Sequence, residues 1–285
     1  MNQLPVWPII NNIIFDCDST LSSIEGIDEL ARMSGHEHDI ALLTKRAMEG
    51  DIPLESIYGH RLTTADPTQS QVSQIAEIYR DTVVPHAKEV IEALQALGTK
   101  VFIVSGGLIE PVRNFGVWLG VPREHIFAVG MEYDQLAGEW WKYWEQPGRR
   151  NPREKYLGYE SNPLTVTGGK NRVIAARIRS QYKGRTLLVG DGISDLEALP
   201  ELDLFIGFGG VVYREQVAKQ SNIYIHTNSL AAVLPISLGK QGNVSPYALL
   251  WAEGLRQIKN KEVDFLEESE KDKFLGALRL KSRRS

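Results

Sequence analysis

Apolar runs of strand length constrain this chain more than any other feature: IINNIIF at 9–15, KVFIV at 100–104, TLLVG at 186–190, LFIGF at 204–208 and NIYI at 222–225. Most lack the apolar–polar alternation of a half-exposed strand, so they suit a parallel sheet covered on both faces. Between them, HAKEVIEALQALG (86–98) and KNRVIAARIRSQYKG (170–184) carry their apolar residues on one helical face. Strand then helix, repeated, predicts an α/β fold built on a doubly wound, mainly parallel sheet. Ligands of such a sheet bind at the carboxyl ends of its strands.

The interval 21–84 breaks the rhythm. EGIDELARMSG, DIALLTKRAMEG, PLESIYGHRL and TQSQVSQIAEIYRDTV all read as helix, the last with Val72, Ile75, Ile78 and Tyr79 as its apolar stripe. We expect a helical cap at 21–84 inserted into a core made of 1–20 and 85–240, with 241–285 as a helical or flexible C-terminal tail. A second irregular segment, 131–168, holds the aromatic run WWKYW at 140–144, which reads either as self-packing on a hairpin or as a lid or homodimer contact. At 285 residues the chain can bury a sizeable core without disulfides or a structural metal. Its single cysteine, Cys17, excludes an internal disulfide and a multi-cysteine zinc site, and suits a reducing compartment. The first residues lack the charged start of a signal peptide, and no run is apolar for long enough to span a membrane. A cytoplasmic location without membrane attachment is expected. The net charge of −4 offers no global basic field for nucleic acid.

Four short segments can carry chemistry. The first run ends in Phe15-Asp16-Cys17-Asp18, and residues two apart on an extended chain face the same way, so two carboxyl groups flank one point. The second delivers Ser105 followed by Gly106 and Gly107, a hydroxyl beside backbone N–H groups with no side chains to shield them. The third, Gly168-Gly169-Lys170-Asn171, puts a cation at a helix start and lacks the spacing of a Walker loop. In the fourth, Gly190-Asp191-Gly192 leads to Ser194 and to Asp195 at the opening of a helix. Oxygen-only ligands of this kind suit Mg2+. Taken singly, the first segment also reads as an ordinary acidic turn and the second as a simple strand-ending turn. IGFGG at 206–210 fails the dinucleotide pattern because Val212 stands where its third glycine would be. In order, the segments place acids, a hydroxyl, a lysine and further acids at four strand ends of one sheet.

With these motifs the sequence resembles the haloacid dehalogenase superfamily and, within it, the phosphoserine phosphatases. The likeness runs from about Ile13 to Ile225 through FDCDSTLSSIEGIDELA, RAMEG, SGGLIEPV, GGKNRVI, GDGISDLEA and IGFGGVVYREQV. The resemblance implies a haloacid dehalogenase-like, Rossmann-type core with an inserted cap, and a Mg2+-dependent phosphomonoesterase. Asp16 would be the nucleophile that forms an aspartyl-phosphate, and Asp18 the general acid and base. Ser105, Gly106 and Lys170 would hold the phosphoryl group. Asp16, the backbone carbonyl of Asp18, and Asp191 would bind the metal, with Asp195 supporting that site from behind. The cap residues Glu25, Arg61 and Met48 would meet the ammonium, the carboxylate and the body of L-phosphoserine, and Ser194 would add a hydroxyl. The hydrolysis would release L-serine, in the last step of serine biosynthesis.

RAMEG departs from the family's RAMGG, since Glu49 stands where a glycine is usual, and Ser194 replaces a threonine. Other readings keep part of this chemistry: a different small phosphorylated metabolite such as phosphohomoserine or a phosphosugar acid, a phosphotransferase, or a catalytically silent phosphometabolite-binding regulator.

Overall fold

The computed structural model of the chain describes residues 7–134 and 156–279. Strand β1 (Asn12–Phe15) is followed by helices α1 (Gly26–Ser34), α2 (Glu37–Met48), α3 (Leu54–Ala65) and α4 (Gln69–Asp81). Next come α5 (Ala87–Ala96), β2 (Lys100–Leu108), α6 (Ile109–Trp118) and β3 (Ile126–Val129). Strands β4 (Met131–Tyr133) and β5 (Tyr156–Tyr159) pair antiparallel in a small separate sheet. Helix α7 (Gly169–Val173) continues as a π-helical stretch over Ile174–Arg179. The alternation resumes with β6 (Thr186–Gly190), α8 (Ile193–Leu196), β7 (Leu204–Phe208), α9 (Glu215–Gln220) and β8 (Ile223–Ile225). Helices α10 (Val233–Leu238) and α11 (Ala248–Lys259), strand β9 (Val263–Phe265) and helix α12 (Glu268–Arg279) complete the described chain.

The main sheet has the order β3-β2-β1-β6-β7-β8-β9, parallel throughout except for the antiparallel edge strand β9. Its central strands are buried along their whole length because their apolar runs face helices on both sides: Ile13, Ile14 and Phe15 of β1 and Leu187, Leu188 and Val189 of β6 have no exposed surface. The winding direction reverses between β1 and β6, which opens a crevice beyond their carboxyl ends.

Helices α1 to α4 lie together over that crevice, and α4 also packs on α6 of the core. Helix α4 starts with a capping box: Thr68 accepts from the Gln71 amide, while the Gln71 side chain accepts from the Thr68 amide. The two chain crossings that join these helices to the sheet are tied side by side. Ser22 and Val83 form an antiparallel bridge, flanked by Ser23 N–H to Thr82 O and Val84 N–H to Leu21 O, both at 2.9 Å.

The stretch 241–285, expected as a helical or flexible tail, holds helices α11 and α12 and also a strand that joins the core. Strand β9 extends the main sheet by pairing with β8, and α12 brings Phe274, fully buried, against Phe265 and Trp7. Strand β9 pairs where β8 offers an unpaired edge. The WWKYW run lies outside the described residues.

Candidate active site

The end of β1 builds the first part of the site. Asp16 N–H continues the ladder to Val189 O at 2.9 Å, and its Oδ1 accepts from the Cys17 amide at 2.7 Å. The chain then turns sharply through Ser19, a left-handed residue with φ 52°. The alternation at this turn points the Cys17 side chain into the core, where burial pushes its thiol pKa well up, followed by the effects of Asp18 and Asp16. It presents no thiolate. Asp18 Oδ1 accepts two hydrogen bonds, from Gly26 N–H at 2.8 Å and from Tyr79 OH at 2.6 Å. Burial pushes Asp18 up to about 6 against the pull of the Tyr79 bond, and Asp16 adds to the rise.

Strand β2 loses register with β3 between Val104 and Leu108, so the Ser105-Gly106-Gly107 segment bends away from the regular ladder. Ser105 Oγ accepts from Gly107 N–H at 2.9 Å.

Lys170 arrives differently from the expectation of four strand ends: it stands in the first turn of α7, after a short 3-10 turn at Pro163–Thr165. Gly169 lies so close to the Pro163 carbonyl that any Cβ there would overlap it, and this contact seats α7. The buried Lys170 Nζ bridges Asp16 Oδ2 at 2.7 Å and Asp195 Oδ1 at 2.6 Å. Burial opposes its charge, but the two carboxylates outweigh that and raise its pKa.

Beyond β6, Asp191 Oδ1 accepts from Thr20 Oγ at 3.2 Å. Its Oδ2 is buried and makes no hydrogen bond, although Arg214 Nη2 lies 3.1 Å away. Burial raises Asp191 to about 6 while Arg214 pulls it down. Asp195 caps α8 by accepting from Gly192 N–H at 3.1 Å. Burial and Asp16 push its pKa up, and Lys170 pulls it back.

Carboxylate oxygens of Asp16, Asp191 and Asp195 fall within 4.8 Å of one another. The donor set is all oxygen, and Asp191 Oδ2 is a buried carboxylate oxygen that makes no hydrogen bond and faces the Arg214 guanidinium at 3.1 Å. Both features fit a hard divalent metal.

The cap supplies two more charges. Arg61 on α3 is buried, donates from Nη1 to Thr44 Oγ at 3.1 Å, and leaves Nε without a partner. Thr44 in turn donates to Asp28 Oδ1 at 2.7 Å. Burial lowers the Arg61 pKa against the influence of Tyr58, Glu25 and Asp28. Glu25 accepts from Ser19 Oγ at 2.8 Å and has Arg214 Nη2 at 3.8 Å. Burial, then Asp18 and Asp191, push its pKa well up.

One cavity is lined by Asp16, Asp18, Glu25, Met48, Arg61, Ser105, Gly106, Lys170, Asp191 and Ser194. Asp195 stands behind Lys170 and does not line it. Glu49, the departure from the family motif, also stays outside: its exposed side chain lies 3.9 Å from Lys45.

Some site residues carried no individual assignment from the sequence. Tyr79 reads there only as part of the apolar stripe of α4, because its hydroxyl is invisible to periodicity. Tyr58 OH reaches across from α3 to donate to Gly106 O at 2.9 Å. Arg214, in the VVYREQV stretch after β7, is brought to Asp191 and Glu25 by the parallel β6–β7 pairing. Its one signal was the likeness of that stretch to the family.

Comparisons with known proteins agree with this geometry. The family model described as haloacid dehalogenase-like hydrolase matches residues 10–128. Phosphoserine phosphatase from Homo sapiens is 33% identical over 214 residues, covering 75% of this chain and 88% of that protein. The Drosophila melanogaster phosphoserine phosphatase is 35% identical over 219 residues, covering 75% of this chain and 73% of that one. Among solved structures, a phospho-aspartyl intermediate analogue of phosphoserine phosphatase superposes with a TM-score of 0.65 at 25% identity, covering 79% of this chain and 98% of that one. With the acids, the Ser105-Gly106-Gly107 segment and the lysine converging under a helical cap, the chain belongs to the phosphoserine phosphatase family of haloacid dehalogenase-like hydrolases.

Proposed function

We propose that this protein is a Mg2+-dependent phosphomonoesterase that hydrolyses L-phosphoserine to L-serine and phosphate, with Asp16 as nucleophile. The observation that carries this reading is a pair of under-compensated buried charges above Asp16. Arg61 has an unpartnered Nε, and the Glu25 carboxyl is crowded by Asp18 and Asp191. An amino-acid phosphate offers each what it lacks. Its carboxylate suits the guanidinium and its ammonium suits the carboxylate. The names of the similar proteins support the same substrate.

A phosphate monoester carries roughly −1.5 to −2 charge near neutral pH, so an anionic nucleophile needs cations around it. Lys170 supplies one, fixed between Asp16 and Asp195. Asp16, Asp191 and the Asp18 carbonyl would hold Mg2+, which when bound supplies further charge neutralisation. Ser105 Oγ and the bare backbone at Gly106 and Gly107 orient the phosphoryl oxygens. Asp18, pushed up to about 6, can carry a proton close to neutral pH, protonate the departing seryl oxygen and then accept a proton from the attacking water. The single cysteine is buried, which suits a reducing, cytoplasmic setting. No helix among the described residues is long and apolar enough to cross a membrane.

Phosphate release measured with Mg2+ on L-phosphoserine and on phosphoethanolamine, which lacks the carboxylate, tests the proposal. We expect L-phosphoserine to be preferred by about 100-fold or more in kcat/KM. Arg61→Ala should erase that preference, and Asp16→Asn should abolish release from both. Equal turnover by the unaltered enzyme would reject the carboxylate clamp. An absence of Mg2+-dependent release would leave a phosphometabolite-binding regulator.

A further inference from the structure

We infer that Tyr79 is a positioning residue for the general acid: with the Gly26 amide it saturates Oδ1 of Asp18, so that the transferable proton rides on Oδ2. The inference rests on the reading of Asp18 as the acid that protonates the leaving group.

Tyr79 OH at 2.6 Å and Gly26 N–H at 2.8 Å both donate to the same oxygen, Oδ1. A carboxyl oxygen has two lone pairs in its plane, and here both are taken by donors. A proton on Oδ1 would point at one of those donors. The neutral acid therefore carries it on Oδ2.

The surroundings of Oδ2 fit that role. It lies against the bare face of Gly107, where a Cβ would come within 2.9 Å of Oδ2 and 3.1 Å of Ser105 Oγ. Asp18, Gly107 and Ser105 all line the catalytic cavity. The glycine thus keeps open the space between the acid oxygen and the phosphate loop.

Tyr79 is built to hold its hydroxyl still. The ring is buried on α4, with its centroid 5.4 Å from that of Phe115 on α6. Gly26 has no side chain because the Tyr79 hydroxyl occupies the position its Cβ would take. Both donors belong to the helices above the crevice, so the acid is aligned only when those helices are seated on the sheet.

In the first step an Asp16 oxygen bonds to phosphorus and the P–O ester bond breaks. Its electron pair goes to the seryl oxygen, which takes the proton from Asp18 Oδ2 and leaves Asp18 as carboxylate. In the second step water bonds to phosphorus and gives a proton back to Oδ2. The electron pair of the P–O bond to Asp16 returns to Asp16.

Tyr79→Phe removes the donor and keeps the ring. The readout is kcat/KM for phosphate release from L-phosphoserine, whose alkoxide must be protonated, and from p-nitrophenyl phosphate, whose phenolate leaves without a proton. We expect a loss of about 10- to 100-fold on L-phosphoserine and less than about 3-fold on p-nitrophenyl phosphate. Tyr58→Phe breaks a different hydrogen bond between the same helices and the phosphate loop, without touching Asp18, and should lower both substrates alike. Equal losses on both substrates in Tyr79→Phe, no loss on L-phosphoserine, or the same leaving-group selectivity in Tyr58→Phe would overturn the inference. If the unaltered enzyme released phosphate from neither compound, the hydrolase reading itself would fall, and this inference with it.

Discussion

Lys170 holds the site together at the scale of single residues. Its ammonium is the buried cation between Asp16 and Asp195, 2.7 Å from one carboxylate and 2.6 Å from the other. Lys170→Met should lower phosphate release by about 100- to 1,000-fold, the loss typical of removing one stabiliser of developing negative charge. It should also make stability depend on pH in a definite direction. Without the lysine, burial, then Asp16 and Asp191, act on Asp195, and all three raise its pKa in the folded state. A group with a raised folded pKa favours folding while protonated and loses that advantage as pH rises through the folded value. Thermal unfolding should therefore show a larger drop in Tm relative to the unaltered protein at pH 8 than at pH 5. An equal drop at both would mean that the lysine does not compensate Asp195. The sequence placed the candidate acids and Lys170 by motif. It could not show the hydrogen bonds of Tyr79 and Tyr58, because a tyrosine on an apolar stripe serves packing and hydrogen bonding with the same side chain.

Secondary-structure elements carry these residues to the site, and two glycine contacts show how. Gly169 lets α7 sit on the Pro163 carbonyl, and Gly254 lets α11 sit on the Ala231 carbonyl, neither of which lines the cavity. Alanine at either position collides with backbone, which cannot swing aside, at a cost of about 1–3 kcal/mol. Gly169→Ala should reduce Tm and activity together because it displaces Lys170. Gly254→Ala should reduce Tm while kcat stays within about 2-fold. Melting curves paired with phosphate-release assays separate the two. The longer helices were legible as periodic stripes, and the runs at 186–190 and 204–208 coincide with β6 and β7. Strands β3 and β9 were not read from the sequence, and their pairing depends on an edge supplied from elsewhere in the chain.

The whole molecule carries a net charge of −4, yet its acids gather where an anion is to bind. Asp18 and Asp191 both stand near 6 in the folded chain against 3.8 for a free carboxyl, chiefly through burial. Their contribution to stability is thus greatest below the unfolded value and is lost as pH rises through about 6. A divalent cation held by Asp191 competes with its proton and stabilises the folded state that binds it. Mg2+ should accordingly raise Tm more at pH 8 than at pH 5, as differential scanning fluorimetry with and without chelator would show. A shift independent of pH would speak against a metal held by the Asp191 carboxylate. The sequence by itself determined the winding of the sheet and the candidate chemistry at its carboxyl edge, because apolar runs and glycine-flanked acids are local patterns. Only the tertiary structure decided that β9 and α12 belong to the core, and that Arg214, Tyr58 and Tyr79 reach the site. It also showed Glu49 turned away from the cavity. These are contacts between residues far apart in the chain, set by how helices seat on a sheet, and no local pattern records them.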